Sequence, residues 1–157
     1  MTEKELKENA LKNSLNSIDK RVEEWVTNND KINLVFIKNN MSSFNFDLKD
    51  KELPIVECFL KPNNFLLTTE RLLSNFEGNL YEMLISEMEG LCSKSMKEIN
   101  PKKKSNSLKT NILVIKSFLE DKIYFEVDSL YPTFFMRILI YNLSSYKRYG
   151  KWYLAPK

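Results

Sequence analysis

Residues Asn63–Leu91 read NNFLLTTERLLSNFEGNLYEMLISEMEGL. Apolar runs about one strand long alternate here with turn chemistry. Phe65–Thr68 and Leu72–Phe76 are strand-length, and Glu77-Gly78-Asn79 is a hairpin signal because Gly78 tolerates positive φ. Leu80–Ile85 and Met88–Ser93 continue the series. Upstream, Pro54 opens a strand over Ile55–Leu60, followed by the turn Lys61-Pro62-Asn63-Asn64. Downstream, Ile112–Ile115 reads as a buried strand. Ile123, Phe125 and Val127 alternate with polar neighbours, the period-two pattern of a half-buried strand. Pro132 then stands where a helix begins, since its missing N–H costs nothing in the first turn. Phe134–Leu143 is apolar almost throughout and must be covered on more than one side. Seven strands closed by one helix predict an α+β fold: an antiparallel barrel or strongly bent sheet capped by a C-terminal helix.

The segment ahead of this region divides the chain. Thr2 and Glu5 form a capping box. Leu11, Leu15, Ile18, Val22 and Trp25 then recur at spacings of three and four, which predicts one amphipathic helix of roughly seven turns packed outside the main domain. Ile32–Ile37 is a strand, and Asn39-Asn40 ends it. Asp47, Lys49, Asp50, Lys51 and Glu52 read as a solvated connector. The expected division is a helical extension with one strand over 1–50 and the main domain over 51–157.

Composition narrows the chemistry. At 157 residues the chain supports one substantial core. A net charge of +3 is too small for a polycation, so an anionic partner would have to be met by local patches. The chain has no histidine, which removes the commonest metal ligand and the commonest general base near neutral pH. Neither Glu87 and Glu89 nor Glu120 and Asp121 has the spacing of an acid–base pair. No glycine-rich phosphate loop occurs. No metal, cofactor or catalytic residue is expected, and the reading is non-enzymatic. The charged opening Met1-Thr-Glu-Lys-Glu-Leu lacks the apolar core of a secretory signal. With Cys58 and Cys92 each beside apolar residues, a reducing cytoplasm and two inert buried thiols are expected.

Residues 55–146 resemble the pleckstrin-homology-like domains, in particular the bacterial and GRAM-like branch. Phe65-Leu-Leu-Thr-Thr-Glu-Arg-Leu-Leu resembles the second and third strands of that family, Ile85-Ser-Glu-Met-Glu-Gly-Leu the entry to the fifth, and Pro132–Tyr146 the closing helix. The glycine before the second strand is replaced by Asn63-Asn64. Lys61 is the only cation in the first hairpin turn, so phosphoinositide binding does not carry over. The resemblance implies a scaffold, and a scaffold does not fix a function.

Two basic segments are the candidate anion or lipid sites. The first is the lysine-rich stretch 94–109, with Lys94, Lys97, Lys102, Lys103, Lys104 and Lys109. The second is the tail, where Lys147, Arg148 and Lys151 interleave with Tyr146, Tyr149, Trp152 and Tyr153. Lysines near an anionic membrane attract it by about 1 kcal/mol each. A lysine run without arginine or aromatic interleaving is equally a solvated loop, and Trp152 and Tyr153 could instead fold back on the sheet. Protein partnership, with an inhibitor or immunity-type protein as one form of it, is the leading expectation, motivated by the apolar surfaces of the terminal helices. Peripheral binding to anionic membranes is the alternative. Single-stranded nucleic-acid binding through Tyr149 and Trp152 ranks third, and a homodimer is open.

Overall fold

The computed structural model describes residues 1–27, 30–44, 46–94 and 110–154, with backbone alone for 26–27, 30–31 and 91–94. Helix α1 spans Glu3–Leu15, and its capping box is formed: Thr2 Oγ1 accepts from Glu5 N at 3.1 Å, and Glu5 Oε2 accepts from Thr2 N at 2.9 Å. A 3-10 turn follows at Val22–Glu24. The strands are β1 (Val26–Thr27), β2 (Asp30–Lys31), β3 (Leu34–Phe36), β4 (Pro54–Phe59), β5 (Asn64–Thr68), β6 (Arg71–Phe76), β7 (Asn79–Leu84), β8 (Met88–Lys94), β9 (Thr110–Ser117) and β10 (Lys122–Asp128). Helix α2 spans Tyr131–Tyr149, with Pro132 in its first turn and Gly150 capping it at φ +70°.

Strands β3 to β10 form two antiparallel sheets, ordered β3-β4-β5-β6-β7 and β10-β9-β8; β1 and β2 pair as a separate ribbon. The α+β class, the seven strands and the closing helix all appear. The barrel alternative does not: among the described residues no ladder joins the two sheets. They meet instead through side chains. Phe65 on β5 stands edge-on to Phe125 on β10 at 4.9 Å, and Ser74 Oγ donates to Tyr124 O at 2.6 Å. The β6–β7 turn carries positive φ at both Glu77 and Gly78, the mirror-image turn whose twist suits a two-residue hairpin.

The N-terminal helix is shorter than its stripe predicts. It stops at Leu15, where Asn16 N still reaches Lys12 O but Ser17 Oγ turns back to Asn13 O and Ile18 N closes a tighter turn on Leu15 O. The stripe nevertheless stays on one side. Leu15, Ile18 and Val22 pack on the core without helical continuity, and Trp25 is only 2 % exposed within it. Helix α1 lies on α2, where Asn142 Nδ2 donates to Ser14 Oγ at 3.0 Å. Segment 1–50 therefore supplies α1, Trp25 and the edge strand β3 to the same core as residues 51–157.

Of the expected solvated connector, Asp47, Lys49, Asp50 and Lys51 are exposed; the longer stretch 41–52 that contains it is a strap across the outer face of the five-stranded sheet. Phe44, Phe46 and Leu48 pack on Ile37, Leu66 and Leu73. Buried Glu57 accepts from Ser42 Oγ at 2.8 Å and Ser43 N at 3.1 Å. Glu52 is buried rather than solvated: it accepts from Arg71 Nε at 2.9 Å, Thr68 Oγ1 at 2.5 Å and Lys49 N at 2.8 Å. Arg71 also donates to Glu82 at 2.7 Å and to Asp47 O at 2.8 Å. These carboxylates are absorbed by local donors, which hydropathy does not register.

Burial pushes the Glu52 carboxyl upward, but the hydrogen bonds from Arg71, Thr68 and Lys49, with the Arg71 charge, hold it below its ordinary value of 4.5. A carboxyl depressed on folding stabilises above its unfolded value and loses that contribution as pH falls through the folded value. Stability is therefore expected to drop below about pH 4.5. Glu52→Gln is expected to cost about 2 kcal/mol at neutral pH and to flatten that acid slope, measured by urea denaturation across pH. An unchanged slope in the variant would remove Glu52 from the network's energetics.

Candidate functional site

Strand β3 is an edge strand, and its free side borders a groove of about 570 Å³. The far wall is Leu15 and Val22, from the end of α1 and the 3-10 turn. The near wall is Ile32, Val35 and Phe36, and Trp25 contributes to the lining. Two charges stand among these apolar side chains, Glu23 on the far wall and Lys38 on the near one. The aromatic side chains are fixed by one another. Trp25 lies 6.0 Å from Phe36 and 5.6 Å from Phe135, Phe36 lies 5.0 Å from Phe135, and Trp25 Nε1 donates to Lys20 O at 2.9 Å. Val35 points away from the core and is 47 % exposed.

Both ends of β3 are clamped. Asp128, buried at the end of β10, accepts from Asn33 N at 2.8 Å, Leu34 N at 2.9 Å and Asn33 Nδ2 at 2.9 Å. At the other end Lys7, from α1, donates to Ile37 O at 3.0 Å and to Asn40 Oδ1 at 2.8 Å. Its burial lowers the Lys7 ammonium from its ordinary value, against the charge of Glu8. Cys58 lies beside Asp128, with Sγ 4.0 Å from Oδ2. Burial, followed by that neighbouring carboxylate, drives the thiol far upward, the environment of an inert thiol.

The tail candidates are drawn into the structure. Lys147 donates to Glu70 at 2.9 Å, and Arg148 donates to Met88 O. The Arg148 guanidinium lies over Phe118 at 4.7 Å and Tyr149 at 5.5 Å. Trp152 stacks on Tyr146 at 4.5 Å and Tyr153 on Tyr141 at 5.2 Å. The fold-back is onto α2, not onto the sheet. Lys151 remains exposed. The Lys94 side chain and Lys97, Lys102, Lys103, Lys104 and Lys109 lie outside the described residues. Strand register places the Lys94 backbone away from the tail. Lys94 faces Ile112 at one end of the β8–β9 ladder, whereas the β9–β10 turn lies at the other.

That turn is a surface the residue pattern does not single out. Phe118 and Leu119 are 53 % and 79 % exposed at its tip, and Tyr149 is exposed nearby. Ser117 Oγ accepts from both Leu119 N and Asp121 N, and Phe118 N donates to Glu87 O, so the tip is held in place. Among the described residues, no helix is long and apolar enough to cross a membrane, and no group of three or more cysteine or acidic side chains is gathered as for a metal ion.

Comparison with family models, with curated proteins and with solved structures returns no match.

Removing the Asp128 carboxylate is expected to release the two amides it holds. Asp128→Ala should cost about 3 kcal/mol, because several charge-assisted hydrogen bonds are lost and buried donors are left unpaired. Hydrogen exchange at Asn33 and Leu34 should accelerate more than exchange in β9. Uniform acceleration would mean that Asp128 stabilises the whole fold without specifically holding β3.

Proposed function

We propose that this chain is a non-enzymatic binding module that recognises a protein partner, on a scaffold of pleckstrin-homology-like build. The observation that carries the reading is the groove beside β3. Its walls are apolar, it is open to solvent, and its aromatic side chains are held by mutual packing, so it is formed before anything binds. A preformed apolar groove lowers the ordering cost that association would otherwise meet. The scaffold reading is supported by element order: a sheet through β4–β7, a second sheet from β8–β10, then a closing helix. An inhibitor or immunity-type role is one form such partnership takes.

A second reading, peripheral attachment to anionic membranes, is favoured by the β9–β10 tip. Two large exposed apolar residues on a fixed turn, beside exposed Tyr149, suit the interfacial zone of a bilayer. Its electrostatic part is weaker, because Lys147 and Arg148 are already engaged and Lys116 pairs with Glu120 at 2.8 Å.

Two variants separate the readings. Val22→Glu with Val35→Glu charges the groove, and Phe118→Asp with Leu119→Asp charges the tip. All four side chains are exposed or half-buried, so both variants are expected to fold. In quantitative affinity capture, a stoichiometric protein retained by wild type and the tip variant, but reduced tenfold or more by the groove variant, is the expected result. No protein that distinguishes wild type from the groove variant would overturn the leading reading. Salt-sensitive flotation with phosphatidylserine vesicles, abolished in the tip variant, would establish the membrane reading in its place.

A further inference from the structure

The backbone of β3 specifies what kind of segment the groove accepts. Ile37 N donates to Ile55 O at 2.9 Å, so Ile37 and Ile55 form a hydrogen-bonded pair. Paired residues in an antiparallel ladder alternate between bonded and non-bonded. The register Val35↔Glu57 and Phe36↔Val56 then makes Val35 a bonded position and turns the backbone groups of Leu34 and Phe36 to the free side. The Leu34 N–H confirms this direction, because it points away from β4 to reach Asp128. The Leu34 C=O and the Phe36 N–H and C=O thus face the groove side, without a protein partner among the described residues.

We propose that the groove takes an extended segment of the partner protein as an additional antiparallel strand on the free edge of β3. This rests on the protein-partner reading above and names the partner's chemistry. The residue facing Phe36 exchanges both of its backbone hydrogen bonds with it, and the residue facing Leu34, two positions away, donates to Leu34 C=O. Directly opposed residues share a face. Side chains at those two alternate positions therefore enter the groove between Phe36 and the wall formed by Leu15 and Val22. They are apolar, and the segment carries an acidic residue at its end nearest Lys38, because the exposed ammonium lines that end of the groove. Intervening residues face outward beside Val35. The Asp128 clamp fixes the register by removing the Leu34 N–H from the available set.

The test uses the full chain and linear peptides selected against it from a random display library. A selected peptide is then scanned by N-methylation, which removes one backbone donor at a time. Strand addition predicts a period-two result: methylation of residues whose N–H faces β3 weakens binding about tenfold, while methylation of their neighbours is tolerated. Peptide binding should slow exchange of the Phe36 amide, and Lys38→Glu should weaken binding of a peptide with an acidic residue at that end without altering the circular dichroism spectrum. Should that variant misfold, the methylation scan on the wild-type chain decides alone. Peptides that shift Leu15 and Val22 methyl resonances but show no period-two pattern would overturn strand addition and leave the protein-partner reading standing. Peptides that never map to the groove would overturn both. Concentration-dependent protection of the Phe36 amide without peptide would assign the edge to a second copy of this chain and overturn the proposal.

Discussion

One buried carboxylate sets the position of everything at the groove. Asp128 ends β10 in the three-stranded sheet, yet the amides it holds belong to Asn33 and Leu34 at the start of β3, in the other sheet. A buried charge without partners would be strongly unfavourable, and here three N–H donors satisfy it. The same residue is tied to the first turn of the closing helix, since Asp128 O accepts from Thr133 Oγ1 at 2.7 Å. Edge strand, second sheet and α2 therefore meet at one residue. Trp25 fills the space this junction encloses, with its ring stacked on Tyr131 at 6.3 Å.

The two faces of the five-stranded sheet are covered differently. The inner face meets β10 and α2 through apolar contact, whereas the outer face is covered by the strap over 41–52, pinned by charge. Glu57 holds the strap near Ser42 and Ser43, and Arg71 holds it near Asp47 and Glu52. Between these anchors Phe44 stacks on Phe59 at 4.5 Å and on Phe46 at 5.2 Å. Directional anchors at both ends confine a short apolar segment that would bury little area by itself.

What the sequence reveals depends on the range of the cause. Turns and strands over 54–128 are legible because their signals are local: Gly78 in a mirror-image turn, alternation through Ile123, Phe125 and Val127, and Pro132 at a helix start. The end of α1 is less so, because Ile18, Val22 and Trp25 keep helical spacing while the backbone turns at Asn16 and Ser17. Asp128 is not legible at all as a clamp. Its partners lie more than ninety positions away, and nothing beside it marks it among the other acids. Glu52 reads as solvated for the same reason, since Arg71 is brought to it only by the pairing of β4 with β5 and β5 with β6. Cation-rich runs stand out in a sequence, but Lys147 and Arg148 are spent on Glu70 and on the Met88 carbonyl.

A free sheet edge is a hazard unless it is short or blocked, because unpaired N–H and C=O groups template pairing with any extended chain. The β3 edge is limited by both clamps. Asp128 occupies the donor at its beginning, and Lys7 with Asn40 closes the chain where Asn39 and Asn40 both take positive φ and leave the strand. What remains open is a few backbone groups beside an apolar wall. Too few backbone bonds are available for indiscriminate pairing to be strong, and the wall adds affinity only for a segment with apolar side chains at the matching alternate positions. The clamps that protect the edge from aggregation are therefore also what would make it selective.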